Sequence, residues 1–203
     1  MTSPRLVLAS ASPRRRDLLL QLGLPHEVEV ADVDEAVLVG ESPEAHVERL
    51  AGDKALAVAP LAADGLVLAG DTVVVSRGRI LGKPRTREEA IEILLELSGR
   101  SHEVFSGLAL VAGQGAERRC LTRHDRTRVT FRSFDRQVAE LYVAAGEPMD
   151  KAGAYGIQGL GAALVTSVEG DYTTVVGLSV SGLMKLLDEA GWAYAFGRLV
   201  PSD

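Results

Sequence analysis

The chain has 203 residues, 46% of them hydrophobic and 25% charged, and its formal net charge is −6. This composition is typical of a globular protein, and the length suits one large domain or two small lobes sharing a core; we expect one domain over residues 1–203. The acidic balance argues against nucleic-acid binding, no apolar run reaches the ~18 residues that cross a bilayer, and residues 1–7 lack a signal-peptide pattern. Cys120 is the only cysteine, which excludes an intrachain disulfide and favours a reducing compartment, so we expect a cytoplasmic protein.

The first half of the chain alternates between strand and helix patterns. Apolar runs predict strands over residues 5–9, 26–30, 66–69 and 73–75. Cap and proline signals predict helices over residues 13–22, 43–58 and about 86–97. The N-caps of these helices are predicted to be Ser12, Ser42 and Thr86. Arg77-Gly78 is typical of a hairpin turn.

The second half continues the alternation. Strands are predicted over residues 104–111 and 127–131, with Gly113 and Gly115 between them, and again over 163–168 and 172–176. Asp135 caps a predicted helix that ends near Gly146, a glycine-rich stretch covers 153–161, and the final helix covers 178–190. The pattern predicts an α/β fold with a mixed sheet flanked by helices.

The first candidate site residues open the helix at residue 13. Arg14, Arg15 and Arg16 lie in its first turn, where the helix dipole disfavours each cation by ~0.3–1 kcal/mol. A bound phosphate would reverse this penalty, because N–H groups, guanidinium groups and the hydroxyl of Ser10 would all face an anion. A solvated basic surface is the alternative.

Carboxylates form the second set of candidates. Asp71 follows an apolar strand directly, where an α/β sheet binds ligands, and could hold a divalent cation or orient a water; a turn-forming aspartate is the alternative. An acidic loop contains Asp32, Asp34 and Glu35, and carboxylate oxygens are what magnesium prefers. Lys54 lies on the apolar stripe of its helix, where it needs either an anionic partner or a stem that reaches water.

Two glycine-containing loops complete the set. Gly82-Lys83-Pro84 presents a lysine on a rigid loop, which in isolation is also compatible with a plain surface turn. Gln158 stands in the glycine-rich stretch, where its amide could match a base edge that has both a donor and an acceptor, although packing turns use glycine too. His102 is expected to be a buried strand histidine. Taken together, these residues suit a polyanionic ligand with magnesium.

The same motifs, in the same order, resemble the Maf family of nucleoside triphosphate pyrophosphatases. The resemblance extends from residue 6 to about 190. Its motifs are Ser10-Ala11-Ser12-Pro13-Arg14-Arg15, Asp34-Glu35, Lys54, Gly70-Asp71-Thr72, Gly82-Lys83-Pro84, Ser98-Gly99-Arg100-Ser101-His102, Val129-Thr130-Phe131-Arg132 and the segment 146–159. Ser179 departs from the proline usual in the family, and we expect it to act as a helix cap.

The resemblance implies an elongated, inosine-triphosphatase-like α/β fold with two lobes around a deep cleft, and a homodimer. It implies hydrolysis of a nucleoside triphosphate to the monophosphate and pyrophosphate with Mg²⁺ or Mn²⁺. It assigns catalysis to Asp71, Lys54 and Lys83 and metal binding to Glu35 and Asp71. The substrate-binding residues it implies are Ser10, Arg14, Arg15, Thr72 and Gln158.

The residue at 158 also divides the family. With glutamine at this position, the sequence resembles the branch that acts on dTTP and UTP. A branch that prefers 7-methyl-GTP has glutamate there. Uracil and thymine present an acceptor O4 beside a donor N3–H, which one amide satisfies. The alternatives are a nucleotide-binding regulator of cell division with little catalysis, and a phosphatase that releases orthophosphate.

Overall fold

The computed structural model describes residues 3–62, 65–113 and 118–202, so the predicted turn residue Gly115 lies outside the described residues. Within these ranges the strands β1 to β9 are Leu6–Leu8, Glu27–Val28, Leu66–Ser76, Arg79–Leu81, Ser101–Ala112, Arg119–Phe131, Val165–Glu169, Trp192–Tyr194 and Leu199–Pro201. The helices α1 to α6 are Pro13–Gln21, Pro43–Val58, Arg87–Leu97, Arg136–Ala144, Tyr172–Val176 and Val180–Glu189. None of these helices has the length and hydropathy that crossing a membrane requires.

Seven strands form one mixed sheet. Its order is β2-β1-β3-β5-β6-β7, and β4 pairs with β3 as a hairpin. β1 runs parallel to β2 and β3, whereas β4 and β7 are antiparallel to their neighbours. The remaining strands, β8 and β9, form a separate antiparallel pair. The predicted α/β class with a mixed sheet flanked by helices is therefore confirmed.

Most predicted caps are confirmed in detail. Ser42, Asp135 and Ser179 each accept a hydrogen bond from a backbone N–H three residues further on. Thr86 does the same with the N–H of Glu89. Ser12 occupies the N-cap position of α1 but makes no side-chain cap, so this part of the prediction is wrong.

Two strand predictions are wrong. Residues 172–176 form the short helix α5, because the carboxylate of Asp171 accepts bonds from the N–H and hydroxyl of Thr173 and so starts a helical turn. The two runs at 66–69 and 73–75 form one strand, β3, which continues through Gly70-Asp71-Thr72. The short strands β8 and β9 were not predicted.

The chain forms two compact units. The first comprises Met1–Asp71, Ser106–Asp125 and Gly177–Asp203, and the second Thr72–Phe105 and Arg126–Val176. Three of the four boundaries fall within the strands β3, β5 and β6, and the fourth directly follows α5. The single domain over residues 1–203 and the two lobes around a cleft stay predictions.

In the first unit, α2 packs on the sheet through small side chains. Ala51 and Ala55 of α2, and Ala59 directly after it, share a buried cluster with residues of β1, β3 and β5. The approach is so close that a Cβ on Gly107 would lie 2.1 Å from the carbonyl oxygen of Val47. This packing fixes α2, the helix that carries Lys54, over the strands.

In the second unit, an aromatic cluster surrounds a buried histidine. His102 makes edge-on contacts with the rings of Phe131 and Tyr155, and its Nε2 lies 2.8 Å from the hydroxyl of Tyr155. Burial lowers the pKa of His102 to about 4. His102 is therefore the structural strand histidine that we expected.

Candidate active site

The serine and the second arginine of the N-terminal motif are brought together in the first unit. Ser10 follows β1, and its Oγ accepts hydrogen bonds from Nη1 of Arg15 at 2.9 Å and from the N–H of Ser12 at 3.2 Å. Nε of Arg15 donates to the carbonyl of Gly177 at 2.7 Å. Ser10 and Arg15 are both buried. Arg15 is thus a fixed internal cation rather than part of a solvated surface.

The three consecutive arginines have different environments. Burial lowers the pKa of Arg15, Asp71 and Glu35 oppose this shift, and the charge of Arg14 adds to it. Arg14 is half-buried, and the exposed Arg16 pairs with Asp17 at 3.6 Å. Gly70, which precedes Asp71, lies close to Nε of Arg15, and the charges of Asp71 and Glu35 favour the protonated arginine, so Arg15 and the carboxylates belong to one electrostatic cluster.

Lys54 joins the two predicted carboxylates. Its Nζ lies 2.6 Å from Oε1 of Glu35 and 2.7 Å from Oδ1 of Asp71. The side chains of Lys54 and Asp71 are 11% and 12% exposed, whereas that of Glu35 is 53% exposed. The charge on the apolar face of α2 is therefore paired, and the alternative of a solvent-reaching stem is wrong.

The sequence predicted that Asp71 directly follows the end of its strand, and this is not observed. It lies in the middle of β3, and its side chain is the acceptor for Lys54. The neighbouring strand β1 ends at Leu8, and the last bond on that side joins the N–H of Ala9 to the carbonyl of Leu68. Asp71 therefore lies just past the C-terminal end of β1, but the prediction that its own strand ends there is wrong.

Gly70 makes room for the arginine. A Cβ there would lie 3.1 Å from Nε of Arg15 and 3.2 Å from the carbonyl oxygen of Gly107. Gly70 had no predicted role of its own. Its position directly before a strand aspartate was the available signal, because glycine inside a strand indicates a close approach by another group.

A clamp from α2 holds the loop that carries Glu35, and this was also missed. Arg49 donates Nε and Nη2 to the two oxygens of Glu41 at 2.6 and 2.9 Å, and its Nη2 also reaches the carbonyl of Ala36 at 3.0 Å. Glu41 in turn accepts from the N–H of Leu38 and lies 2.9 Å from His46. The bonds from Arg49 lower the pKa of Glu41 well below its usual value.

The other predicted site residues belong to the second unit. Thr72 is a half-buried residue of β3, and the side chains of Lys83 and Gln158 are exposed on loops. The two loops are linked, because the N–H of Gly153 donates to the carbonyl of Gly82 at 3.1 Å. Lys83 and Gln158 are thus carried by two connected loops.

Comparisons with known proteins identify the family of the chain. A family profile described as "Maf-like protein" matches residues 5–190. The chain belongs to the Maf-like family.

Curated relatives match over nearly the whole Maf-like chain. A protein of Moorella thermoacetica is 53% identical over 184 residues, which cover 90% of this chain and 93% of the relative. A protein of Pelotomaculum thermopropionicum is 49% identical, and the match covers 92% of this chain and 97% of the relative. A protein of Myxococcus xanthus is 50% identical, and the match covers 92% of each chain. All three are named dTTP/UTP pyrophosphatase.

Solved structures give a weaker likeness. A nucleoside-triphosphatase / dITP/XTP pyrophosphatase of Mycobacterium abscessus has a TM-score of 0.44 and 16% identity, with 92% of this chain and 95% of that chain covered. A likeness at this level supports no conclusion about the substrate.

Proposed function

We propose that this chain is an enzyme that hydrolyses dTTP and UTP to the nucleoside monophosphate and pyrophosphate. The observation that carries the proposal is the ammonium of Lys54 between Glu35 and Asp71, in one electrostatic cluster with the buried Arg15. A triphosphate with a metal ion needs this combination of fixed cations and hard oxygen ligands. The names of the curated relatives support the same substrate class.

In the proposed mechanism the cations stabilise the charge of the triphosphate. Arg15 supplies a fixed positive charge, because its guanidinium is already held by Ser10 and Gly177. The partners of Lys54 in the described part of the chain are the carboxylates of Glu35 and Asp71, so Lys54 can turn toward a phosphate oxygen when those carboxylates bind another cation. Lys83, exposed on its loop, adds a further charge for the phosphates.

Asp71 is the proposed general base. It would accept a proton from a water whose oxygen bonds to the α-phosphorus, while the bond from that phosphorus to the oxygen of pyrophosphate breaks. The side chain of Asp71 is 12% exposed, so it is held in place and still reaches solvent water, which supports this role.

The residues proposed as metal ligands fit a divalent cation in their chemistry. Glu35 and Asp71 both place an oxygen within 2.7 Å of one ammonium nitrogen, so a single positive centre already serves both. Among the described residues no group of three or more His, Cys, Asp and Glu side chains could hold a metal. The remaining ligands would therefore be water and substrate oxygens, which is the usual pattern for Mg²⁺. When bound, Mg²⁺ or Mn²⁺ supplies Lewis-acid polarisation of the phosphate oxygens.

Base recognition is assigned to Gln158, with Arg14 and Thr72 as further specificity residues. The amide of Gln158 can donate to O4 and accept from N3–H of uracil or thymine. Guanine presents two donors on the corresponding edge, so it would leave the amide donor facing a donor. The exposure of the Gln158 side chain supports an interaction with a ligand rather than with the protein core.

The proposal extends to the organisation of the protein. We propose one functional domain over residues 1–203, a homodimer and a cytoplasmic location, where nucleoside triphosphates are made and used. Light scattering on the purified protein tests the dimer, which requires twice the mass of one chain.

Product analysis tests the proposed reaction. The protein is incubated with each nucleotide and Mg²⁺, and the products are separated by ion-exchange chromatography. We expect dTMP or UMP with one equivalent of pyrophosphate. Orthophosphate as the first product would indicate a phosphatase, and nucleotide binding without product would indicate a regulator; either result contradicts the proposal.

A further inference from the structure

The turn that carries Gln158 is fastened at both ends by one pair of side chains. Tyr142, on α4, donates its hydroxyl to Oε1 of Glu147 at 2.7 Å. The same hydroxyl oxygen accepts the N–H of Gly156 at 3.1 Å. Gly156 lies two residues before Gln158, so the tyrosine holds the start of the turn.

Glu147 holds the end of the same turn. Its Oε2 accepts the N–H of Leu160 at 2.7 Å, and its Oε1 accepts the N–H of Gly161 at 3.1 Å. Burial pushes the pKa of Glu147 upward, but the hydrogen bonds from Tyr142, Gly161 and Leu160 outweigh this and lower it. Glu147 is therefore an ionised acceptor that receives three donors.

The glycines of the turn are explained by this fastening. A Cβ on Gly159 would lie 2.3 Å from Oε2 of Glu147, and a Cβ on Gly161 would lie 2.6 Å from the hydroxyl oxygen of Tyr142. A Cβ on Gly156 would also crowd Glu147, at 3.0 Å from Oε1. The glycines leave space for the carboxylate and the hydroxyl, which hold the backbone on both sides of Gln158.

The side chains along the turn differ in burial. Gly156 and Ile157 are buried, whereas Gln158 and Gly159 are exposed. The backbone is thus fixed by internal groups while the amide projects outward. A side chain on a fixed backbone loses less conformational entropy when it binds a ligand than one on a loose loop.

We propose that Glu147, oriented by Tyr142, is a positioning residue for Gln158, so that base selectivity depends on a carboxylate with no contact to the base. The inference rests on the proposed function, because it assumes that Gln158 reads the pyrimidine edge. Glu147 acts through hydrogen bonds to the turn and takes no part in the chemical step.

The substitution Glu147→Gln tests the proposal. The glutamine has one acceptor oxygen, and its NH₂ group would face a backbone N–H, so at least one bond to the turn is lost. We expect KM for dTTP and UTP to rise about tenfold with kcat within about twofold of wild type, because one charged hydrogen bond is removed from binding and none from the chemistry. Hydrolysis of a purine triphosphate, measured as the reference, should not change, so the ratio of kcat/KM for pyrimidine over purine triphosphates falls by the same factor.

Two controls accompany this variant. Glu140→Gln makes the same chemical change at an exposed position of α4 and should keep wild-type kinetics. Tyr142→Phe removes one bond to Glu147 and the acceptor of the Gly156 N–H, and should lower the pyrimidine preference in the same direction. Thermal unfolding of each protein verifies that it is folded, and Tyr142→Phe decides the matter if Glu147→Gln does not fold.

A double-mutant cycle separates positioning from general stability. In the background Gln158→Ala, Glu147→Gln should cause no further loss of pyrimidine preference, because the amide through which it acts is gone. Independent, multiplying effects would overturn the proposal, as would an unchanged preference in folded Glu147→Gln. A wild-type protein that releases no pyrophosphate from dTTP or UTP would overturn the proposed function and this inference together. The kinetics of the wild-type protein therefore distinguish a failure of the proposed function from a failure of the inference about Glu147 alone.

Discussion

The substitution Asp71→Asn should abolish nearly all turnover and leave the protein folded. It removes the negative charge of Asp71 and keeps the size of the side chain, so Lys54 loses one of two anionic partners. Removing the only partner of a buried charge costs ~3–5 kcal/mol. Here Glu35 remains 2.6 Å from Nζ of Lys54, and the asparagine oxygen can still accept a bond, so we expect the smaller cost of ~1–2 kcal/mol for one weakened charged hydrogen bond.

Stability and activity should therefore respond on different scales. A loss of ~1–2 kcal/mol lowers Tm by roughly 2–8 °C in a chain of this size. Loss of the general base lowers kcat by ~10²–10⁴-fold. Scanning calorimetry measures the first effect, and chromatographic quantification of dTMP measures the second.

The matched control is Asp17→Asn, the same chemical change at an exposed carboxylate of α1. It should keep wild-type turnover. If Asp71→Asn retained more than about a tenth of wild-type kcat, the assignment of Asp71 as the base would be refuted. If the variant lost activity only together with its cooperative unfolding transition, Asp71 would be structural.

Three further predictions follow from other parts of the structure. Gln158→Glu should lower kcat/KM for dTTP and UTP by at least about tenfold, because a carboxylate cannot donate to O4 of the base. Arg49→Ala should raise the Mg²⁺ concentration for half-maximal activity by about 10–100-fold, because the loop that carries Glu35 loses its clamp. The same shift should appear in direct Mn²⁺ binding measured by electron paramagnetic resonance. The free energy of unfolding should fall as pH falls from 6.5 to about 4, because unfolded His102 takes up a proton before the folded residue does. The loss should be on the order of 3 kcal/mol.

A specific experimental outcome would contradict each of these predictions. Unchanged selectivity in Gln158→Glu would remove the amide from base recognition. Wild-type metal dependence in Arg49→Ala would show that the Glu35 loop holds its position without the clamp, and Arg49→Lys, which keeps the charge, should lie between the two. Urea unfolding compares wild type and His102→Gln at pH 7 and pH 4.5, and equal losses of stability in both proteins would contradict the role given to His102.

Local signals predicted much of the fold because they act within a few residues. The caps at Ser42, Thr86 and Asp135 form as expected, since an N-cap needs only a side-chain oxygen and a nearby N–H. Residues 172–176 were assigned to a strand from their β-branched side chains, and the cap by Asp171 overrode that preference. The polar interruption at residues 70–72 suggested a turn, but pairing with Lys54 satisfies Asp71 and lets β3 continue.

The site was predictable where a charge stood in an unfavourable place. For Lys54 on an apolar stripe and Arg15 in the first turn of a helix, an anionic or polar partner was one of two interpretations, and each residue has such a partner. The clamp at Arg49 and Glu41 was not predictable, because charged residues near a helix start are common and usually solvated. Its recognition needed the fold, which brings the loop carbonyl of Ala36 to the helix.

The helix α2 carries two functional side chains, Arg49 and Lys54, at a fixed angle to each other around the helix axis. Arg49 grips the loop that carries Glu35, and five residues later Lys54 meets Glu35 and Asp71. An α-helix turns about 100° per residue, so one residue inserted between these positions would swing the ammonium group a quarter-turn or more away from the carboxylates. The number of residues between Arg49 and Lys54 therefore matters to the site as much as the identities of these two residues.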